Sequence, residues 1–480
     1  MKYTVKYIMS TLAILFVFVF VFSAANIPFA LAASSDEPNY IRIGLKYGSS
    51  SADTYNVTFK DGVILGYGDN NGFNQQAVFD DIVLVSVNLS GSQISLIGTK
   101  NSGESIDLMA GLSGVNCIMP TDYDDDGTFA FLGSQYRGGM AFNITSGKLT
   151  MINLLPVEEY LYGVINGELS CSYPIEALKA QAVAARSFAI EKLGTHNSYG
   201  FDLCDTTHCQ VYKGYNDEHD QTTEAVDKTR GETIKYEGKT VPAFFYKNSG
   251  GYTQDSADVW TGDAGYLKAV KDEYSPVYSW SQTYTVDELA SKLTSAGYAV
   301  GTIQSVEITK RNQSGAVDTL QFTGTSGTVQ LQKEKIRTVF GASIIKSNMF
   351  SFSEYQAGAS TSKEDFEGYI CPQNSANMIS LSKKAYVLGK DGKITLVDTD
   401  KLYIHNGSST TRVSELDSSE PSGSGMTKGL ESVSSDSITF YGLGYGHGVG
   451  LPQDSAVEMA KRGFTYDEIL KYYYTDITIE

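Results

Sequence analysis

One carboxyl side chain, that of Glu168, extends an otherwise apolar helical stripe and could act as an acid. The apolar members of the stripe, at steps of three and four residues, are Val157, Tyr160, Leu161, Val164 and Ile165. A carboxyl group that loses hydration on burial has a raised pKa, so it can hold a proton near neutral pH and donate it. The alternative is that Gly167 ends the helix and Glu168 turns to solvent or pairs with Lys179 or Arg186.

Two thiols and two imidazoles lie within one short segment, from His196 to Cys209. The spacing of Cys204, His208 and Cys209 suits tetrahedral zinc, with His196 as a further ligand. A local disulfide between Cys204 and Cys209 is the alternative in an exported protein, and spacing leaves both open. Four protein ligands would make a structural zinc site, whereas three ligands and a water could polarise a substrate.

A third candidate segment alternates glycine with larger residues near the C-terminus. Glycines occupy every second position from Gly442 to Gly450, and Tyr445 and His447 lie between them. In an extended chain one face would be bare backbone and the other would carry an aromatic ring and an imidazole. A flat ligand or a second strand could lie against this face, and the alternative is a glycine-packed core strand. The segment is neither a P-loop nor a dinucleotide fingerprint.

A long helical pattern positions the candidate acid. It runs from Pro156 through Leu193, breaks near residues 170–173 and restarts at Pro174, a residue suited to the first turn of a helix. Small residues on the inward face of the second part permit close approach of a neighbouring element. The amide of Gln181 lies among them and needs hydrogen-bond partners, so it could orient Glu168 or a ligand, or simply bond to backbone.

The regions on either side of this helix pair differ in composition. Residues 40–150 read as short strands separated by turns, which predicts a β-rich N-terminal region. From residue 353 to 437 the chain is rich in Ser, Thr, Gly and Asp, with a hairpin pattern from Ala385 to Val397, and this block looks like an insertion. Two short helical patterns, Asp454–Lys461 and Tyr466–Tyr473, close the chain.

Composition and charge limit the classes of partner. The 480 residues carry 37 Lys and Arg against 55 Asp and Glu, a formal charge of -18, which argues against nucleic acid or anionic lipid as a partner. Lys2 and Lys6, an apolar run and the small residues Ala30-Leu31-Ala32 predict an export signal over residues 1–32. We expect an extracytoplasmic protein that meets the membrane only through this segment, if it is not cleaved.

Several long stretches, in order, resemble the stage II sporulation protein D family, which includes the amidase enhancers of bacterial cell walls. They cover most of residues 136–352 and 440–474. The stretches are LPVEEYLYGVINGELSCSYPIEALKAQAVAARSFAI, FDLCDTTHCQVYKGY, FFYKNSGGYTQDSADVW, GYLKAV, RTVFGASIIKSNMF and GYGHGVGLPQDSAVEMAKRGFTYDEILKYYY.

The sequence patterns and this resemblance together predict an α+β fold. The patterns predict a β-rich region over 33–135 and an insertion over 353–437, and the resemblance implies a mixed α/β catalytic core over 136–352 and 438–480 with an active-site helix pair. It implies a secreted or wall-associated lytic transglycosylase of a Gram-positive type bacterium, which cuts the bond between N-acetylmuramic acid and N-acetylglucosamine. The family's catalytic acid/base matches Glu168, six residues before Pro174. Zinc, which some members bind, would take Cys204, His208, Cys209 and, as a looser match, His196.

Further residues are expected to contact the glycan, and two departures from the family pattern affect the site. The expected contacts are Gln181, Ser249, Gly250, Gly251, Tyr445, His447 and Gln453, with backbone donors from residues 249–251. Leu169-Ser170 stands where the family usually has Met-Pro, and the aromatic residue that often follows the glycine-histidine segment is lacking. The competing readings are a non-catalytic glycan-binding protein that stimulates a partner amidase, and a zinc amidase or peptidase.

Overall fold

The computed structural model describes residues 39–123, 127–353 and 431–480, together with short strands between residues 368 and 412. The predicted export signal lies outside these residues. Within the described ranges, no helix combines the length and the apolar character needed to cross a membrane.

The first part of the chain is almost entirely strand. In chain order the strands are β1 (Tyr40–Lys46), β2 (Thr54–Thr58), β3 (Val63–Asp69), β4 (Gly72–Phe79), β5 (Ile82–Ser90), β6 (Gln93–Lys100), β7 (Ser105–Asp107), β8 (Cys117–Pro120), β9 (Thr128–Phe131), β10 (Ser134–Arg137), β11 (Gly139–Thr145) and β12 (Lys148–Pro156). Apolar and polar residues alternate along β2 and β9, as in strands with one buried face.

Helices and shorter strands make up the remainder. The helices are α1 (Val157–Glu168), α2 (Ile175–Glu191), α3 (Asp220–Lys228), α4 (Ser256–Val259), α5 (Val286–Ser295), α6 (Glu334–Phe340), α7 (Gln453–Lys461) and α8 (Tyr466–Tyr473). The strands up to residue 351 are β13 (Leu203–Cys204), β14 (Ile234–Tyr236), β15 (Lys239–Thr240), β16 (Phe245–Tyr246), β17 (Ser279–Thr285), β18 (Ile303–Arg311), β19 (Val317–Gly324), β20 (Gly327–Gln332) and β21 (Phe350–Ser351).

The last strands follow in chain order. They are β22 (Gly368–Ile370), β23 (Ile379–Leu381), β24 (Lys384–Leu388), β25 (Ile394–Asp398), β26 (Tyr403–His405), β27 (Thr410–Arg412), β28 (Glu431–Val433), β29 (Ser437–Leu443), β30 (Leu451–Pro452) and β31 (Thr478–Ile479). Strands β24 and β25 pair antiparallel with Ala385 opposite Val397, which confirms the hairpin predicted there.

Two sheets of the N-terminal region cover the helix pair. One has the order β13-β1-β12-β11-β8-β3-β4 and the other β10-β9-β2-β5-β6-β7. Their apolar faces and those of α1 and α2 form one buried cluster, which includes Ile41, Val57 and Leu161. The first sheet contains strands from both sides of residue 135. The helix pair is therefore packed directly on the β-rich region, which fixes its position.

A second apolar core lies later in the chain. Strands β17, β29 and β21 form one sheet, β20, β19, β18 and β28 form another, and the helices α5 and α6 pack with them. The α+β class with a β-rich N-terminal region is confirmed, and the predicted helix pair forms as α1 and α2. The helix pair breaks between Glu168 and Ile175, and both C-terminal helices form as predicted.

The extended conformation predicted for the whole glycine segment is wrong beyond Leu443, where β29 ends. Gly444, Gly446, Gly448 and Gly450 have φ of 79°, 130°, 90° and 79°. Glycine adopts such positive angles without steric cost, so the segment turns repeatedly where an extended chain was expected. A side chain at residue 450 would come within 2.2 Å of the Phe244 carbonyl oxygen, so the tight packing also requires glycine.

Candidate functional site

Glu168 is the last residue of α1, and its side chain is half-buried. Its Oε1 accepts a hydrogen bond of 3.0 Å from the backbone N–H of Val211. Neither of the basic partners considered from sequence pairs with it: Lys179 bonds to Glu176, and Arg186 bonds to Glu158. The carboxyl group is thus held at the end of the helix without a direct ion pair to either residue.

Burial raises the pKa of Glu168 above its ordinary value. Loss of hydration is the largest cause, and it is opposed by hydrogen bonds from Val211 and Gln453 and by the positive charge of Lys213. Desolvation penalises the charged carboxylate, whereas those three contacts favour it. The net result is a carboxyl group that retains its proton to higher pH than an exposed glutamate, as a general acid requires.

Gln453, from a distant part of the chain, links Glu168 to Gln181. Gln453 begins α7, and its Nε2 donates to the backbone oxygen of Glu168 at 3.2 Å and to Oε1 of Gln181 at 3.4 Å. Gln181 is fully buried, and its Nε2 has no hydrogen-bond partner within the described residues. The structure therefore brings three of the predicted site residues together.

A buried ion pair fixes the two helices that carry this group. The Arg186 guanidinium donates to both carboxylate oxygens of Glu158, at 2.9 and 2.6 Å, and so links α2 to α1. It also donates to the backbone oxygen of Val226, which belongs to α3, and to that of Glu232, which follows α3. Such bidentate pairs set orientation as well as distance.

The segment that carries Val211 is fixed by its neighbour Gln210. The Tyr160 hydroxyl donates to Oε1 of Gln210 at 3.0 Å, and Nε2 of Gln210 donates to the Ala185 oxygen at 3.3 Å. One amide thus bridges α1 and α2 immediately before Val211. This bridge explains how a backbone N–H, which no sequence motif marks, reaches the carboxyl group of Glu168.

Four predicted metal ligands converge in the loop that precedes Val211. The ligand atoms of His196, Cys204, His208 and Cys209 all lie within 4.8 Å of one another. Sulfur-to-nitrogen distances are 3.7 Å for Cys204 to His208 and 3.4 Å for Cys209 to either histidine. Tetrahedral zinc with bonds of about 2.3 Å to sulfur and 2.0–2.1 Å to nitrogen separates these ligands by about 3.6 Å. The donor set therefore fits a metal ion of this kind, and both cysteines are free thiols.

The metal loop is anchored to the first sheet. Strand β13 pairs in parallel with β1, and the Arg42 side chain forms an ion pair of 2.7 Å with Asp202. Asn70 adds a hydrogen bond of 2.7 Å to the same carboxylate. These contacts join the loop to the sheet through residues other than the four candidate metal ligands.

His447 has both ring nitrogens engaged by backbone. Its Nδ1 accepts from the Val449 N–H at 3.1 Å, and Nε2 lies 3.2 Å from the Phe245 oxygen, so the neutral tautomer carries its proton on Nε2. Rings of Tyr246 and Trp260 surround it. Loss of hydration, with a contribution from Arg337, lowers its pKa to about 4. The ring stabilises the glycine turns and has no ring nitrogen left to bind a sugar in this conformation.

Two of the three predicted backbone donors in residues 249–251, those of Gly250 and Gly251, are also engaged. The Gly250 N–H donates to the Asn248 side chain at 2.9 Å, and the Gly251 N–H donates to the Ser249 hydroxyl at 3.1 Å. The Ser249 hydroxyl in turn donates to Asp272 at 2.6 Å. These groups are therefore satisfied within the turn and are not free to bind a ligand.

Tyr445 is separate from the Glu168 group in its contacts. It pairs with Asn248 across an antiparallel bridge, and its ring lies 5.9 Å from that of Tyr278. Sequence analysis did not identify Val211, Lys213 or Tyr278. A backbone donor and a loop tyrosine leave no periodic signal, so only the fold could identify them.

The sequence model of a family described as "Stage II sporulation protein", SpoIID, matches residues 145–236, which include Glu168, Gln181 and all four metal-ligand candidates. The chain therefore contains a region that is similar to the SpoIID family. A second family, described as a domain of unknown function, matches residues 257–370.

Curated relatives show the same similarity. The chain is 28% identical over 368 residues to "Amidase enhancer" of Bacillus subtilis, covering 75% of this chain and 46% of that protein. It is 25% identical over 338 residues to "Stage II sporulation protein D" of the same organism, covering 67% and 73%. It is 36% identical over 157 residues to the protein of that name in Bacillus amyloliquefaciens, covering 29% and 46%. The match thus spans less than half of the amidase enhancer.

Proposed function

We propose that this protein is an extracytoplasmic lytic transglycosylase, which cleaves peptidoglycan between N-acetylmuramic acid and N-acetylglucosamine. The observation that carries the proposal is the half-buried carboxyl group of Glu168, whose pKa is raised by loss of hydration. Glycosidic cleavage requires a proton on the leaving oxygen and stabilisation of an oxocarbenium-like centre. Glu168 supplies that proton.

One carboxyl group can serve both halves of this reaction. Protonation of the glycosidic oxygen breaks its bond to C1 of the muramic acid. The resulting Glu168 carboxylate then takes the proton from the 6-hydroxyl as that oxygen bonds to C1, which regenerates the acid and yields a 1,6-anhydro end. Gln453 and Gln181 hold the end of α1 in place during both proton transfers.

Zinc at the His196, Cys204, His208 and Cys209 cluster would have a structural role in this reaction. Four protein ligands leave no open position for a substrate or an activated water, which disfavours a zinc amidase or peptidase. Cys209 is two residues before Val211, whose N–H binds the Glu168 carboxylate. The ion, when bound, supplies a rigid anchor for the segment that positions the acid.

A second candidate function is stimulation of a cell-wall amidase without catalysis. The observation that favours it is the name of the relative "Amidase enhancer", although the match covers only 46% of that protein. In this function the site would bind glycan strands, and Glu168 would contribute hydrogen bonds to the ligand.

Analysis of the digestion products separates the two candidates. Purified peptidoglycan is incubated with the wild type, with Glu168→Gln and with Glu224→Gln, a matched change on the exposed side of α3. We expect 1,6-anhydromuramic ends, detected by mass spectrometry, from the wild type and Glu224→Gln but not from Glu168→Gln. Anhydro ends from Glu168→Gln would refute the catalytic role. Absence of such ends from the wild type, together with stimulation of an added amidase, would support the second candidate.

A further inference from the structure

A cleft of about 290 Å³ is lined by residues that are close in sequence to Glu168 and Gln453, among them Tyr173 and Asp454. Its walls come from four separate parts of the chain: the loop between α1 and α2, the segment that follows β16, the loop that precedes β17, and the first helix after the glycine segment. The lining residues that matter are Tyr173, Asn248, Val277, Tyr278, Asp454 and Val457. Nothing in the reaction described above uses this cleft.

The cleft is connected to the candidate acid through two of its walls. Asp454 directly follows Gln453, whose Nε2 donates to the Glu168 backbone oxygen at 3.2 Å. Tyr173 lies in the short loop that follows Glu168, and its backbone oxygen accepts a hydrogen bond of 2.9 Å from the Gln221 side chain. A ligand in the cleft would therefore lie next to the residues that hold the acid in place.

The charges of the cleft are balanced locally. Asp454 forms an ion pair of 2.7 Å with Lys247 and accepts a hydrogen bond of 3.0 Å from Asn248. Glu458 forms an ion pair of 2.7 Å with Lys461. Each carboxylate thus has its own cation, so the lining attracts neither a strongly anionic nor a strongly cationic ligand.

Apolar and aromatic groups complete the lining. Val277 is 88% exposed, so its side chain can contact a ligand at the edge of the cleft. Tyr173 and Tyr278 are half-buried and offer ring surface. A pyranose has an apolar face of C–H groups and a rim of polar groups, which matches aromatic walls combined with amide and carboxylate side chains.

We propose that this cleft binds one N-acetylated amino sugar of the glycan strand, adjacent to the bond that Glu168 cleaves, and that Tyr278 is its specificity-determining wall. This inference rests on the proposed function for the position of the scissile bond. The wall residues Val277 and Tyr278 belong to the region that matches the domain of unknown function, and not to residues 145–236, which match the SpoIID model. The second region would thus complete the glycan site.

The Tyr278 ring is held in place before any ligand binds. Its hydroxyl accepts a hydrogen bond of 3.1 Å from Nζ of Lys346, which lies 5.1 Å from the centre of the same ring. The Tyr278 backbone oxygen accepts from the Gly444 N–H at 2.8 Å. A wall fixed in this way loses little conformational entropy when it binds a sugar.

Binding to a cleavage-deficient protein tests the cleft independently of catalysis. In the full chain carrying Glu168→Gln, the affinity for an N-acetylglucosamine trimer is measured by calorimetry. We expect addition of Tyr278→Ala to weaken binding about tenfold, and Val277→Ser about threefold, because each removes apolar contact with the sugar. Tyr278→Phe keeps the ring and should bind within about twofold of the parent. Tyr67→Ala, an exposed tyrosine on β3, is the matched control and should not change the affinity.

Three results would overturn the proposed sugar site. They are no binding of the trimer to the Glu168→Gln parent, unchanged binding by Tyr278→Ala with a normal unfolding temperature, or displacement of the trimer by a sugar-free stem peptide. If Tyr278→Ala fails to fold, the affinity of the Val277→Ser variant decides alone. The Val277 side chain is 88% exposed, so its replacement should not disturb folding. Cleavage by the wild type is assayed separately. A wild type that does not cleave, combined with the expected losses of affinity, would reject the transglycosylase and retain the sugar site.

Discussion

Opposing effects act on the pKa of the Glu168 carboxyl group. Burial destabilises its charged form, while the Val211 N–H, Gln453 and the charge of Lys213 stabilise it, and burial is the larger effect. An acid that must give up its proton and then take one back benefits from this balance, because neither protonation state is strongly locked. In the proposed reaction, the Val211 N–H would stabilise the carboxylate that forms after proton donation.

The raised pKa of Glu168 predicts a pH-dependent cost in stability. Because the folded-state pKa lies above the unfolded value, this group's stabilising contribution is fully present below the unfolded pKa and is lost as the pH rises through the folded pKa. Glu168→Gln removes that loss. We therefore expect the variant to unfold at a higher temperature than the wild type at about pH 7.5, with a smaller difference at about pH 4.

Thermal unfolding followed by circular dichroism at both pH values measures this effect. Glu224→Gln is the control, because the Glu224 carboxylate forms an exposed ion pair with Lys228. A Glu168→Gln protein that is less stable than the wild type at the higher pH would contradict the assignment of burial as the dominant cause.

The four-ligand cluster predicts a stoichiometric metal. We expect about one zinc per chain in the purified protein, and its loss in Cys209→Ser together with a lower unfolding temperature, because metal binding contributes to folding free energy. Cys171→Ser, a half-buried free thiol outside the cluster, should retain the metal. The measurement is elemental analysis with thermal unfolding in the presence and absence of a chelator. Full zinc content in Cys209→Ser would exclude this ligand set.

The contact between α1 and α2 depends on one arginine. Arg186 is 1% exposed and binds Glu158, which is 15% exposed. Removal of one partner leaves the other charge without compensation, so Arg186→Ala should lower the free energy of unfolding by about 3–5 kcal/mol. Lys471→Ala, in the exposed pair with Asp467, should cost under about 1 kcal/mol. Urea denaturation of both variants is the test, and equal losses would contradict the buried role of Arg186.

The helices were predictable because their information is local. The apolar stripe that ends at Glu168 and the proline at residue 174 mark the boundaries of α1 and α2, and the structure places them there. The glycine segment was not predictable in the same way, since glycine permits both the extended and the positive-φ conformations. Its conformation depends on Phe244 and Gln254, which lie far away in sequence.

The surroundings of the candidate site were predictable only in part. Spacing within one loop placed four metal ligands together, because those residues are close in sequence. The partners of Glu168, at Val211 and Gln453, come from residues 43 and 285 positions away. Contacts of that separation follow from how the sheets and helices pack, and no pattern along the chain indicates them.

The chain contains a segment with a core of its own between residues 279 and 443. Strands β17 and β29 pair along their full length, from Ser279 opposite Leu443 to Thr285 opposite Ser437. The buried residues of the second apolar cluster run from Trp280 to Phe440, all within this segment. Contacts to the preceding region include polar ones, such as Lys333 to the Ala257 and Trp260 oxygens and Asn312 to Gln254.

Such an arrangement predicts that residues 279–443 fold when expressed alone. The paired strands β17 and β29 bring both ends of the segment together, so excision of the segment leaves its core intact. The polar contacts at the boundary bury little apolar surface, so their loss should destabilise the segment little. We expect a cooperative urea transition followed by Trp280 fluorescence, since this residue is 8% exposed in the fold. Phe440→Ala, which removes a fully buried ring, should lower the midpoint by an amount equivalent to about 3–5 kcal/mol. A gradual transition that Phe440→Ala does not shift would show that the segment needs the remainder of the chain in order to fold.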